Sequence, residues 1–391
     1  MPALEHVHPA EGDLVAVTLP PSPTWLDLLT ETWDSGAALL PIDDRLPAGE
    51  RASLIERARP TITLDGMGAR RVEGEPVDPG IVLVVHSSGT GGAPAFAQFD
   101  RAAIEAAVSS STLALGATER DRWLCCLPLA HVGGLLVVMR SLVLGAPVAV
   151  HERFDPGAVL AEPDVAFTSV VPTMLARLVE TGADLSAFHS ILVGGAHVPA
   201  ELGSRAERAG GHVVETYGMT ESCGGVVYDG VPLRGTQVRI APDGEIQLRG
   251  PTTTRGYRLG DADPFTPDGW LHTADAGELD WDGRLRVAGR RDDVVITGGE
   301  KVWPQAVEAV LQAHPRVHEV AAAGVADPEW GERVTAWVVP TVTAEPPTLE
   351  DLRAFAAERL PPYAVPRELV LVTRLPRTAS GKVRRADLPR G

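Results

Sequence analysis

The sequence predicts an α/β protein in two parts. A large N-terminal domain of α/β subdomains with a small β-sheet region spans residues 1–291, and a small α+β domain spans 292–391. Three observations carry this reading. Apolar runs suited to buried strands alternate with helical patterns as far as about residue 215. From Gly230 the texture changes to short strands separated by Gly and Asp turns, which reads as a smaller antiparallel sheet. Past Arg290 the alternation of strand and helix restarts and continues for roughly 100 residues, the size of an independent domain.

Taken in order, residues 23–37 form the first clear helical pattern and 81–85 (IVLVV) the first buried strand. Residues 100–115 read as a helix because Asp100 supplies an N-cap before an Ala-rich run. The long apolar stretch 132–150 is interrupted by Arg140, Gly145 and Pro147, whereas a membrane span needs about 20 cleaner residues. It reads as a core helix, a turn and a strand. A helix at 171–180, a strand at 190–193, a helix at 199–208 and a strand at 212–214 follow as βα units. The small sheet takes 238–240, 245–248 and 285–287. The last domain reads strand 294–296, helix 304–313, strands 317–325 and 333–339, helix 348–359 and strand 368–372.

Composition narrows the function. The chain carries 35 basic and 52 acidic residues, a net charge of −17, which disfavours nucleic acid and anionic membranes as partners. Three cysteines without a CxxC pair argue against structural zinc and a disulfide framework. Residues 1–13 lack the charged-then-apolar pattern of a secretory signal, so a reducing cytoplasm is the expected location. Only two of the basic residues, Lys301 and Lys382, are lysines. Where arginine serves nearly everywhere, a retained lysine points to a position that wants a compact, flexible ammonium.

Seven segments, in five groups, carry candidate chemistry. His86-Ser87-Ser88-Gly89-Thr90-Gly91-Gly92-Ala93-Pro94 follows a buried strand and offers backbone N–H groups and hydroxyls suited to phosphate oxygens. No Gly-Lys-Ser/Thr follows, so it is not a Walker loop, and alone it reads equally as a Gly/Ser surface turn. Glu215-Thr216-Tyr217-Gly218-Met219-Thr220-Glu221 joins an aromatic ring, a hydroxyl and a carboxylate able to stack, hydrogen-bond and hold Mg²⁺. Asp268-Gly269-Trp270-Leu271-His272-Thr273-Ala274-Asp275 precedes Gly289-Arg290-Arg291-Asp292-Asp293 and Gly298-Gly299-Glu300-Lys301. Each of these alone reads as a solvated turn. Pro376-Arg377-Thr378-Ala379-Ser380-Gly381-Lys382 ends the acidic chain in a basic run, and Pro128-Leu129-Ala130-His131 places a histidine beside an apolar helix.

Together and in chain order, the segments resemble the signatures of the adenylate-forming superfamily, which includes acyl-CoA synthetases, luciferases and peptide-synthetase adenylation domains. The resemblance runs from Ser87 to Lys382 and extends upstream to about Pro23. In the phosphate loop Ser87, Ser88, Gly89, Thr90, Gly92 and Pro94 match, whereas Gly91 replaces a threonine, Ala95 the lysine and Phe96 the last glycine. The segment before this loop is shorter than usual in the family, so the N-terminal domain is expected to be trimmed.

The resemblance implies the adenylate-forming fold and an ATP-dependent acid–thiol ligase that forms an acyl-adenylate and then a thioester, with ATP, Mg²⁺ and coenzyme A. It assigns Lys382 as the catalytic lysine. Thr220 would face the α-phosphate and acyl carboxylate, and His131 would meet the carboxylate and later open the thiol tunnel. Ser87, Ser88, Gly89, Thr90 and Gly92 would hold phosphate, while Gly195, Ala196, Tyr217 and Gly218 would surround adenine. Asp275 and Arg290 would clamp the ribose, Glu221 would bind the metal, Asp292 would be the interdomain pivot, and Gly298 and Gly299 would line the pantetheine path. Residues 128–148 and 216–233 look most like the o-succinylbenzoate–CoA ligases of menaquinone synthesis. Alternatives are a ligase for another aryl or acyl acid, a carrier-protein-loading adenylation enzyme, or a catalytically weak adenylate-binding protein. The expected partner is a small carboxylic acid, handled by a monomer or homodimer.

Overall fold

The computed structural model describes residue 4 and residues 7–87, 94–259, 263–377 and 383–389. The chain divides into two compact units. The first comprises residues 1–196, 205–238 and 248–272, and the second comprises 197–204, 239–247 and 273–391.

The first unit is built on two sheets. One runs in the order Gly68–Arg71, Ile62–Asp65, Leu14–Val17, Ala38–Pro41, Ile81–His86, Phe96–Asp100, with its four middle strands parallel and both edges antiparallel. The other runs Val231–Pro232, Gly224–Tyr228, Val213–Met219, Ser190–Val193, Val165–Val170, Arg122–Cys125, Val148–Val150, with the last five parallel. Parallel strands need both faces covered, and Ile81–His86 is accordingly buried at every position.

Two helices fill the space between these strands. Asp100 caps Arg101–Leu115, its Oδ1 accepting from the Ala103 amide at 2.9 Å, and Gly116 ends the helix in the left-handed conformation. Val132–Leu144 is apolar nearly all round and buried from Gly134 to Arg140, as a helix enclosed by other elements must be. Gly145 stops it before the Val148–Val150 strand, the helix, turn and strand read from the sequence. One apolar cluster joins Leu39, Leu83 and Phe99 of the first sheet to Trp123, Phe167 and Leu192 of the second through Ile104, Val108, Leu135 and Val138 of these helices.

The second unit contains a five-stranded sheet. Glu300–Val302, Val295–Thr297, Gly331–Pro340 and Val317–Asp327 lie in that order, and Glu368–Leu371 pairs parallel to Gly331–Pro340. Pro304–Gln312 and Leu349–Ala357 contribute Val307, Leu311, Leu352 and Ala356 to a core with Val320, Val334 and Val338. Thr348 and Asp351 form a reciprocal capping box on the second of these helices. A separate cluster gathers Leu375 and Leu388 around Trp337 and Ala321. The small sheet orders Gln237–Ile240, Glu245–Arg249, Leu271–Leu279 and Leu285–Arg290.

Candidate active site

The Tyr217 corner is where the parallel part of the second sheet meets its antiparallel edge. Val213–Met219 pairs parallel to Ser190–Val193 on one side and antiparallel to Gly224–Tyr228 on the other, with a register shift between Tyr217 and Gly218. Position 218 must be glycine, because a Cβ there would stand 1.9 Å from the Gly224 carbonyl oxygen. The chain then makes one 3₁₀ turn, Thr220–Ser222, in which the Met219 amide donates to Ser222 Oγ at 2.9 Å and Ser222 Oγ donates to the Gly224 carbonyl at 2.8 Å. This turn aims Glu221 inward. Its side chain is buried, Oε1 accepts from the Tyr257 hydroxyl at 2.7 Å, and its carbonyl accepts from the Thr254 amide at 2.7 Å.

Gly195 and Ala196 leave the sheet beside this corner. Val193 pairs with Glu215, and Thr216 Oγ1 donates back to the Val193 carbonyl at 3.3 Å. The His131 helix reaches the same region, packing against the Gly224–Tyr228 strand. Tyr228 Oη and Ser111 Oγ lie 2.8 Å apart, and Arg140 Nη2 donates to that Ser111 at 2.6 Å. Arg140 itself is a core residue. Its guanidinium sits 3.9 Å over the Trp123 ring and donates to the Leu136 carbonyl at 2.8 Å.

His131 occupies the N-cap position of its helix with an extended backbone, and its ring centroid lies 5.9 Å from that of His86. His86 is only 6% exposed. Burial holds its pKa below the usual 6.5, against the opposing pull of the Ser87 carbonyl and the Asp43 carboxylate, so the ring is neutral at pH 7. Burial would raise Asp43, but two bonds from Arg45, at 2.8 and 2.6 Å, outweigh it and keep the carboxyl below its ordinary range. In the sequence His86 stood only at the head of the phosphate-loop segment with no role of its own, and Asp43 was not singled out. Beside them, a cavity of about 310 Å³ opens at the carboxyl ends of parallel strands from both sheets, with Ile42, Asp43, Arg45, Leu129 and Met174 in its lining.

The phosphate-loop residues Ser88, Gly89, Thr90 and Gly92 lie outside the described residues. Ser87 and Ala95 close the base of that connection. The Ser87 amide donates to the Ala95 carbonyl at 2.8 Å, and the Ala95 amide to Ser87 Oγ at 3.1 Å. Position 95 is therefore part of the ladder between strands, and its methyl brings no cation to the loop.

In the second unit, Asp275 and Arg290 face each other across an antiparallel pair. Arg290 Nη1 lies 3.3 Å from Asp275 Oδ1 and donates to the Thr273 carbonyl at 2.9 Å, which fixes the guanidinium beside the carboxylate. Asp292 sits in the 3₁₀ turn Arg291–Asp293. Gly298 and Gly299 form the tight turn between Val295–Thr297 and Glu300–Val302, both with positive φ, and the Gly298 amide donates to the Trp330 carbonyl at 2.9 Å. Lys301 is exposed on that hairpin, and Lys382 lies outside the described residues.

Among the described residues no group of three His, Cys, Asp or Glu side chains could hold a metal ion. No helix among them is long and apolar enough to cross a membrane. Burial pushes the Cys126 thiol up to about 11 and Cys223 to about 12, which leaves both unreactive.

Residues 65–258 match the family model described as AMP-binding enzyme, and residues 306–382 match that of its C-terminal domain. A "probable 2-succinylbenzoate–CoA ligase" of Mycobacterium tuberculosis is 41% identical over 369 residues, covering 90% of this chain and 95% of the relative. The 2-succinylbenzoate–CoA ligase of Bacillus subtilis is 33% identical over 387 residues, covering 91% and 78%. Among solved structures, o-succinylbenzoate coenzyme A synthetase from B. subtilis with its acyl-adenylate intermediate has a TM-score of 0.88 at 30% identity, covering 98% of this chain and 89% of that one. The same enzyme with ATP and magnesium gives 0.87 at 30% identity, covering 97% and 90%. With its fold matched throughout and the Tyr217 corner intact, the chain belongs to the adenylate-forming, AMP-binding enzyme family.

Proposed function

We propose that this protein is an ATP-dependent o-succinylbenzoate–coenzyme A ligase. The acid's carboxylate attacks the α-phosphorus of ATP, forming the acyl-adenylate and releasing pyrophosphate. The thiol of coenzyme A then attacks the acyl carbon, forming the thioester and releasing AMP. The observation that carries this reading is the near full-length likeness to ligases named for that acid, across both the nucleotide-binding and C-terminal segments.

The residues serve these steps as follows. Tyr217 stacks on adenine, with Gly195, Ala196 and Gly218 leaving room for its edge. Asp275 and Arg290 take the ribose hydroxyls. Negative charge builds on the phosphoryl oxygens as the carboxylate adds, and in this reading Lys382 and the Thr220 hydroxyl neutralise it. Glu221, its carboxylate held by Tyr257, offers an oxygen to the magnesium that ATP carries, which supplies further neutralising charge. His131 orients the acyl carboxylate, with neutral His86 against its ring. Turning of the C-terminal domain at Asp292 then exchanges Lys382 for the Gly298-Gly299 path by which the thiol arrives. The cytoplasm is the proposed setting.

ATP–pyrophosphate exchange across a panel of carboxylic acids, followed by thioester formation with coenzyme A or an acyl-carrier protein, tests the reading. The expected result is exchange strongest with o-succinylbenzoate and transfer to free coenzyme A. Exchange with another aryl acid alone would overturn the substrate, and no exchange with any acid would overturn the chemistry. The second outcome has a specific observation behind it, since Ala95 supplies no cation at the phosphate loop.

A further inference from the structure

Asp292 lies between two anchored neighbours. On its amino-terminal side, Arg291 Nη2 stands 2.9 Å from Asp243 and Nη1 3.8 Å from Glu245, carboxylates at the start of the Glu245–Arg249 strand. On its carboxyl side, Asp293 Oδ2 accepts from Arg385 Nη1 at 3.0 Å. The same guanidinium makes a fork with Glu308, Nη2 lying 2.7 and 2.9 Å from the two carboxylate oxygens, and its Nε donates to the Ala322 carbonyl at 3.1 Å. Glu308 closes the ring by accepting from the Ala322 amide at 2.8 Å. Arg385 therefore ties Asp293 to a helix (Pro304–Gln312) and to a core strand (Val317–Asp327) at once.

This contact differs from an ordinary surface ion pair. Arg385 and Glu308 are each only 20% exposed, Nη2 reaches both carboxylate oxygens, and the other two guanidinium nitrogens bond Asp293 and the Ala322 carbonyl. Arginine suits it because one planar group reaches three partners, which an ammonium cannot do with fixed geometry. Arg385 also stands three residues after Lys382 in sequence. The segment that carries it is held independently: Arg377 pairs with Val383 as an antiparallel bridge, the Arg384 amide donates to the Pro376 carbonyl at 2.9 Å, and Leu388 packs beside Trp337.

We propose that Arg385 and Arg291 are positioning residues that confine bending of the chain to Asp292. Arg291 holds the last residue before the pivot and Arg385 the first residue after it, so a change in backbone torsion at Asp292 moves the α+β body as one piece. Without the Arg385 tie, rotation leaks into Asp293 and Val294, and the body arrives misplaced for both half-reactions. The inference rests on the two-step ligase reading given above.

Asp293→Asn is the decisive variant, because it takes the charge out of the tie to the pivot while leaving the Glu308–Arg385 contact in place. Adenylation and thioester formation should both lose between about tenfold and a hundredfold in kcat, the scale of a misplaced reacting group, with KM for ATP and acid unchanged. Arg291→Gln should behave alike. Arg385→Gln should lose at least as much as Asp293→Asn, and the double variant no more than Arg385→Gln alone. Arg384→Gln, which removes an exposed cation paired with Asp387 at 3.3 Å, should keep wild-type rates. Amide hydrogen exchange needs no substrate and so stands apart from the assignment of the acid. Asp293→Asn should speed exchange at residues 293 and 294 by about tenfold while leaving the Pro304–Gln312 helix protected. Unchanged exchange at those two residues, wild-type kcat in Asp293→Asn, or losses that multiply in the double variant would each overturn the proposal.

Discussion

Replacing Asp275 by asparagine isolates one charge in the proposed ribose clamp without changing the size of the side chain. The carboxylate is held across the strand pair from Arg290, whose guanidinium is fixed by the Thr273 carbonyl at 2.9 Å, so the variant should keep its backbone and its neighbour. Two ribose hydroxyls donating to a carboxylate are worth about 1.5–3 kcal/mol each, and a neutral amide oxygen retains one bond worth about 1 kcal/mol. The net loss is then about 3 kcal/mol, or on the order of 150-fold in kcat/KM for ATP. Pyrophosphate exchange measured with ATP and with 2′,3′-dideoxy-ATP forms a cycle between residue and hydroxyls. Wild type should suffer strongly from loss of the hydroxyls, and Asp275→Asn little further. Equal sensitivity of both proteins to the dideoxy nucleotide would refute the clamp.

The other expectations are more briefly stated. Lys382→Ala should nearly abolish adenylation, by about a hundredfold or more, yet leave conversion of supplied acyl-adenylate to thioester much less affected; equal losses in both half-reactions would count against its assignment. Gly218→Ala places a Cβ 1.9 Å from a backbone oxygen that cannot yield without opening the Tyr217 bulge, so exchange activity should vanish and the melting temperature fall; a folded, active variant would contradict the geometry. His86 has a depressed pKa in the fold, so below about pH 6.5 the unfolded chain takes up a proton that the folded chain resists, and stability drops as pH falls. In His86→Asn the difference in urea midpoint between pH 7.5 and 5.5 should shrink, and an unchanged difference would show that His86 does not contribute.

The parts of this molecule that were legible in the sequence are those whose signals are local. Asp100 caps its helix as read, Gly145 and Pro147 part a helix from a strand, and Thr348 opens the helix it was expected to open. The Tyr217–Glu221 corner is contiguous, so its residue types could be read together. By contrast, Leu14–Val17, Ala38–Pro41 and Ile62–Asp65 went unrecognised, since a four-residue strand shows no period and owes its burial to parallel neighbours far along the chain. Asp43 and Tyr257 were missed, and His86 was given no role, for the same reason: each meets a predicted site residue only after the sheets assemble.

The arginine-rich composition sharpens this limit, because it removes the usual distinction between a cation chosen for its shape and one chosen for solubility. Arg258 shows the consequence. Its fork donates to the carbonyls of Ala58 at 2.8 Å, Pro76 at 3.0 Å, Arg59 at 3.2 Å and Glu75, joining segments about 200 residues apart through backbone oxygens. Arg140 is likewise enclosed, over an indole ring, and Arg385 draws three segments of the second unit together. In sequence these three are indistinguishable from exposed arginines such as Arg153 or Arg384. A lysine at any of them would lose the planar fork and most of its acceptors, so Arg→Lys at 258 or 385 should destabilise or misplace far more than the same exchange at 153 or 384. The scarcity of lysine therefore marks Lys301 and Lys382 by exception, while the structurally important arginines become visible only through the carbonyls and carboxylates that the fold gathers around them.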